Sequence, residues 1–292
     1  MDNKVKGIIL IIFSALCFAL MAAMVKLSGD IPLFEKVFFR NLISLFIAFW
    51  IAKKENVSLF GSKKNQLFLM GRSIFGLLGV VLHFYAINNL LLADASILNK
   101  LSPFFVTIFA FVFLKEKLSF VQIPAFVMVI IGAMLIIKPK FELTIIPATA
   151  GFLSAIFAAA AYILLRVLRD KEEYSTIVFY FSLVSVLAML PLTVINYKHP
   201  TPMQFVYLMG TGIFAALAQF SITLAYKYAE ASEIAIYDYT NIIFASVVGF
   251  IIWKEVPDVF SLFGGALIII AGCMVFIYNK VKKSNNREVP LK

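Results

Sequence analysis

Long apolar runs separated by short polar connectors dominate the chain. Ten of them approach the ~20 residues that an α-helix needs to cross the hydrocarbon of a bilayer, at approximately 7–28, 34–52, 67–89, 92–114, 119–137, 147–168, 174–196, 203–228, 231–253 and 258–278. The pattern predicts an all-α integral membrane protein with ten transmembrane helices and almost no mass outside the bilayer. Only the tail after Tyr278 is polar enough to be disordered. The first run follows basic residues and carries small ones in "ALMAAM", as a secretory signal does, but its length favours a retained helix.

The pattern also repeats. Sliding the chain over itself by 139 positions sets Ala86 on Ala225, Ile97 on Ile236, Phe105 on Phe244 and Lys115-Glu116 on Lys254-Glu255. With one inserted residue, Gly132 meets Gly272. The chain thus divides into residues 1–140 (helices 1 to 5), 141–280 (helices 6 to 10) and a basic cytoplasmic tail, 281–292. An odd number of crossings in the first copy forces the second to enter the membrane upside down. Inverted repeats of this kind are a design of secondary transporters, with the substrate site near the midplane where the copies meet.

Composition agrees: 62% of residues are hydrophobic and 14% charged, and the mean hydropathy of +0.95 is too high for a soluble domain of this size. The net charge of +10 raises the question of nucleic acid. Its distribution answers it. With the N-terminus inside, 17 lysines and arginines fall on the inner side and 7 on the outer, the asymmetry that orients membrane proteins. The expectation is a multi-pass protein of the cell (inner) membrane with both termini cytoplasmic, no nucleic-acid partner, and Trp50 and Trp253 in the aromatic belts. Cys17 and Cys273 lie inside apolar helices without redox or metal spacing and read as packing residues.

The stretch "LLGVVLHFYAINNLLLADASILNKLSPFFVTIFAFVFLKEKLSFVQIPAFVMVIIGAMLIIKP", with "FFRN" at the start of the second helix, resembles the EamA branch of the drug/metabolite transporter superfamily. The likeness covers nearly the whole chain. Its specific marks are Arg40, Pro103, Glu116 and Gly132; in the second copy Ile242 replaces the proline, while the glutamate survives as Glu255. The resemblance implies a cavity enclosed by helices 1 to 4 and 6 to 9, with helices 5 and 10 peripheral. Within the branch the wording is most similar to S-adenosylmethionine transporter-like and solute carrier 35 G-like members.

Polar residues inside spans are costly and point to function. Lys100 lies about eight residues into the fourth span. Ser96, Lys100, Pro103 and Thr107 would share a face, Asn99 beside it, with a bend at the proline. His83 on the third span lies at a similar depth from the same side, roughly 9 Å against 12 Å. Arg72, Gly76, Gly79 and His83 form one stripe, whose glycines suit a close helix or a ligand; Arg72 is near enough to the inner end to snorkel, and is discounted. The eighth span offers Gln219, Thr223 and Tyr226, and the ninth Tyr237, Asp238, Tyr239 and Asn241. The repeat equates Asn99 with Asp238 and Lys100 with Tyr239, so both clusters straddle the midplane. Lys100 and Asp238 are either an ion pair closing the bundle or a substrate site for opposite charges, and the two readings are compatible.

Arg40, near the outer start of helix 2, is expected to pair with Glu35, Asp30 or a loop carbonyl. Pro103, Glu116 and Glu255 take structural or gating roles. Gly264, Gly265 and Gly272 on the tenth span suit a homodimer or packing within the subunit. No Cys/His, Ser/His/Asp or HExxH arrangement and no nucleotide loop is present, so neither an enzyme nor a cofactor or metal is expected. The reading is a secondary transporter moving a small polar or amphipathic organic metabolite (amino-acid-like, amine or, by the resemblance, S-adenosylmethionine-like) by alternating access. The rivals are a lipid flippase and an interfacial acyl or head-group transferase.

Overall fold

A computed structural model describes residues 3–115, 119–137, 145–168, 171–228 and 234–287. The first repeat contributes α1 (Asn3–Leu27), α2 (Leu33–Lys54), α3 (Gln66–Asn89), α4 (Leu92–Asn99), α5 (Ser102–Leu114) and α6 (Gln122–Ile137). The second contributes α7 (Ile145–Leu168), α8 (Tyr174–Ile195), α9 (Pro202–Tyr228), α10 (Thr240–Trp253) and α11 (Val259–Arg287). The fourth span is α4 and α5 in series; the ninth is a 3-10 turn, Ala235–Tyr239, followed by α10.

Eight spans are individually long and apolar enough to cross a membrane. The other two have local reasons for falling short. Helix α6 is 16 residues long, and α2 carries Glu35, Lys36 and Arg40 toward one end and Lys53 and Lys54 at the other. The fully buried Lys36 ammonium is satisfied by the carbonyls of Val25 and Gly29 and by Asn88 Oδ1, at 2.9 to 3.0 Å. Its charge therefore ties the α1–α2 turn to α3 without an acid.

The packing carries the repeat symmetry. Helix α1 packs along α9, and their counterparts α7 and α3 pack in the same way; α2 lies on α8 and α6 on α11. Each pairing maps onto itself or another when the repeats exchange, as a pseudo-twofold axis requires. Small residues let the backbones approach: Ala15, Ala19, Ala22 and Ala23 on α1, and Ala148, Ala155 and Ala159 on α7, are almost fully buried. At the α6–α11 crossing a Cβ on Gly132 would stand 2.7 Å from the Gly264 carbonyl oxygen, and one on Gly264 would stand 2.5 Å from that of Gly132. Only glycine fits. Gly265 faces Ile97 and Gly272 faces Tyr239, so these three glycines serve packing within the subunit, the second of the two uses expected for them.

The fourth span is broken, not bent. Helix α4 ends at Asn99, Lys100 forms its C-cap, and α5 restarts at Ser102 with Pro103 in its first turn, where a missing N–H costs nothing. The ninth span restarts at the equivalent point, after Tyr239. The break resets the helical phase, so Lys100 is buried while Pro103 is exposed, and the single Ser96–Thr107 face expected from a continuous helix does not form. Both restarted helices end in a left-handed residue, Lys115 (φ 55°) and Lys254 (φ 56°).

Candidate substrate site

At the paired breaks, Lys100 Nζ donates to Asp238 Oδ2 at 2.6 Å. Lys100 caps the C-terminal end of α4, and Asp238 lies two residues before the N-terminus of α10. Each charge thus faces the helix-dipole end of opposite sign. One carboxylate oxygen is used by the lysine; the other, Asp238 Oδ1, is buried without a partner, as is Nδ1 of His83. Lys100 and Arg40 are within electrostatic reach of His83, so the third and fourth spans do bring His83 and Lys100 together.

The remaining expected residues separate into those that face this centre and those that do not. Tyr239 lays its ring and hydroxyl against Gly272 of α11. Tyr237 packs against the buried cluster of Ile11 on α1, Ala225 on α9 and Ile234. Asn241 is buried and donates to the Ala15 carbonyl at 2.9 Å, a strut between α10 and α1. These three hold helices together. Asn99 and Gln219 keep partial exposure. Glu116 and the side chains of Thr223 and Tyr226 lie outside the described residues.

Two arginines replace the tyrosines that face elsewhere. The Arg72 guanidinium carbon stands 4.0 Å from the Phe181 ring centroid and that of Arg40 stands 5.6 Å from it. Arg72 does not snorkel to the inner face. Arg40 pairs with none of its expected partners; its Nη1 donates to Asn41 Oδ1 at 2.6 Å, while Asp30 and Glu35 both meet residue Lys198. Gly76 makes room for this: a Cβ there would meet Arg72 Nη1 and the Phe181 ring, each at 3.1 Å. Gly79 on the same stripe instead admits the backbone of α7 at Ala158, so the two glycines divide the two uses expected of them. Tyr162 and Tyr174, which the sequence pattern did not single out, are within reach of both guanidiniums, and Tyr162 also of Asp238. Tyr162 is 51% exposed, so it is not part of a packed core.

One end of the bundle is clamped. Glu255 accepts from Lys26 through Oε1 and from the backbone N–H of Leu92, the first residue of α4, through Oε2 at 2.8 Å. Lys26 also donates to the Leu90 carbonyl at 2.6 Å and stands 5.3 Å from the Trp253 ring. Lys198 pairs with Asp30, and Gln204 donates to Asp30 at 2.9 Å. Both contacts join one repeat to the other. Glu255 thus bonds to the first repeat through both of its carboxylate oxygens.

The sequence matches the profile of the EamA-like transporter family twice, over residues 5–138 and 145–278. It is 34% identical to a pseudopaline exporter, CntI, of Pseudomonas aeruginosa strain UCBPP-PA14, over 93% of this chain and 96% of that protein. It is 26% identical to solute carrier family 35 member G1 of Homo sapiens, over 91% and 77%. It is 24% identical to an S-adenosylmethionine uptake transporter of Rickettsia felis, over 87% and 84%.

Proposed function

The chain belongs to the EamA-like transporter family, and from that premise we propose that Lys100 and Asp238 form the centre of its substrate site and that substrate exchanges for their mutual bond. It is a multi-pass membrane transporter of small metabolites and not an enzyme. The observation that carries the proposal is the Lys100–Asp238 pair at the two repeat-related helix breaks, with Asp238 Oδ1 left unpartnered. Discontinuous helices meeting at the midplane are where transporters of this architecture bind substrate.

A substrate bearing an ammonium or other cationic group satisfies the free carboxylate oxygen, and its acidic group engages Lys100 as the ion pair parts. Rocking of one repeat against the other then exposes the site to each side in turn. The Lys26–Glu255 clamp closes one end of the bundle in the conformation described here. The excess of lysine and arginine in alternate connectors supports cytoplasmic termini in the cell membrane. The relatives named above carry different solutes, so the substrate class rests on the site's own charges.

The test is flux into and out of proteoliposomes loaded with amino acids, polyamines, S-adenosylmethionine or carboxylated amines. Lys100→Ala and Asp238→Ala should each abolish counterflow of the transported solute. Unchanged kinetics in both variants would reject the assignment.

A further inference from the structure

Arg40 and Arg72 come from different helices and meet on one ring of a third, Phe181 of α8. Their guanidinium carbons are at most 9.6 Å apart, because they stand 5.6 and 4.0 Å from the same centroid. A guanidinium stays charged wherever it is placed, and two like charges inside a membrane protein repel each other unless an anion lies between or beside them. Among the described residues no carboxylate bonds to either. Arg40 Nε, Arg72 Nε and Arg72 Nη1 are buried with no hydrogen-bond partner. The ring offsets part of the cost through its face but accepts no N–H bond of ordinary strength.

The wider centre is also unbalanced. Arg40 lies within electrostatic reach of Arg72, and His83 within reach of both Arg40 and Lys100, while the carboxylate of Asp238 is bonded to Lys100. Both arginines keep some accessible surface, so a solute beside them meets part of each side chain, while the three unpartnered nitrogens are themselves shielded until the side chains turn toward it. A fork of N–H donors matches a carboxylate in two parallel bonds.

We propose that Arg40 and Arg72, gathered on the ring of Phe181, form a carboxylate-binding subsite, and that the transported solute is an organic anion carrying at least two carboxylates. This rests on the transport reading above and names its substrate class: an amino or imino polycarboxylate places a cationic nitrogen at Asp238 Oδ1 and its acidic groups at the arginines and Lys100. The arginines then bind substrate rather than staple the bundle.

The experiment is thermal melting of the purified full chain in uncharged detergent at fixed ionic strength, titrated with glutarate, tricarballylate, inorganic phosphate, choline and phosphatidylglycerol. Glutarate and tricarballylate should raise the melting temperature in proportion to the logarithm of their concentration, by about 5 °C when far above their dissociation constants. Arg40→Gln and Arg72→Gln should each lose that rise. Without added anion Arg72→Gln should melt no lower than the parent, because it removes a repulsion; a structural arginine would lower it. Arg72→Lys keeps the charge and loses the fork, and should retain a weakened rise. The proposal is overturned if neither carboxylate raises the melting temperature, if phosphate alone or phosphatidylglycerol alone does, or if the rise survives in both glutamine variants. Counterflow separates the two readings. Carboxylate-dependent melting without any flux sinks the transport site and leaves the subsite standing, whereas counterflow of a solute lacking carboxylates, with no carboxylate-dependent rise, sinks the subsite alone.

Discussion

Lys26 and Glu255, the one on α1 of the first repeat and the other just past α10 of the second, are bonded at one end of the bundle. The same carboxylate caps the first N–H of α4 at Leu92. One side chain therefore fixes three elements, and its two oxygens do different work: an ion pair across the repeats, and a negative charge at the positive end of a half-helix. Helix α4 in turn ends at Lys100, so the clamp and the site share a rigid eight-residue rod.

Removing that carboxylate should open that end. Glu255→Gln keeps the shape and loses the charge of a pair whose side chains are 15% and 12% exposed, at a cost to the closed state of about 3 kcal/mol. In a background with Cys17 and Cys273 replaced by serine, His83→Cys should react several-fold faster with a membrane-impermeant thiol reagent once Glu255→Gln is added. Equal rates would mean that the clamp does not gate the bundle.

Lys100 and Asp238 should show strong coupling. Either Lys100→Met or Asp238→Leu alone leaves a charge without its partner inside the bundle and should destabilise by about 3 to 5 kcal/mol. The double variant should recover most of that loss in thermal melting and still fail to transport. Recovery of both stability and counterflow would show that the pair only closes the bundle.

The α6–α11 crossing tolerates no Cβ on either glycine. Gly132→Ala and Gly264→Ala should each lower stability by about 1 to 3 kcal/mol, because the opposing carbonyl must move. Counterflow rates at permissive temperature should change little, as the crossing is peripheral to the site. A neutral Gly132→Ala would indicate that the two helices separate easily.

Asp30 gives a pH dependence with a definite sign. Its hydrogen bonds with Lys198 and Gln204, and the Lys198 charge, hold its carboxyl below the usual value of 3.8. The contact is therefore complete at neutral pH and is lost only as pH falls through the lowered value. Asp30→Asn should lower the melting temperature slightly at pH 7 and low salt and make no difference in strong acid, as followed by thermal melting of the purified chain. An effect that persisted unchanged in strong acid would assign Asp30 a role independent of its charge.

Tyr237 packs against Ile11, Ala225 and Ile234, so Tyr237→Phe should leave the dissociation constant of the transported solute unchanged within about twofold. Tyr162→Phe should weaken it, since Tyr162 faces Arg40, Arg72 and Asp238. The opposite pattern in a binding titration would restore the aromatic wall to the ninth span.

The number of spans and the duplication were legible in residue order, as was the placing of Lys100 and Asp238 inside spans, though their pairing was one of two readings it left open. A bilayer imposes length and hydropathy on each crossing one segment at a time, and duplication leaves a fixed offset that any reader of the chain can slide into place. Intramembrane charges announce themselves by their cost. Which face a residue presents was not legible, for two physical reasons. A face read at helical spacing assumes an unbroken helix, and the break at Lys100 rotates everything beyond it, sending Pro103 outward and leaving Tyr239 against Gly272. The meeting of Arg40 and Arg72 on Phe181 depends on how α2, α3 and α8 cross, a relation no single span encodes. Residue order alone settled a duplicated ten-span transporter with charges inside its spans; the tertiary structure decided that Lys100 is paired with Asp238 while Arg40 and Arg72 keep nitrogens without a partner among the described residues.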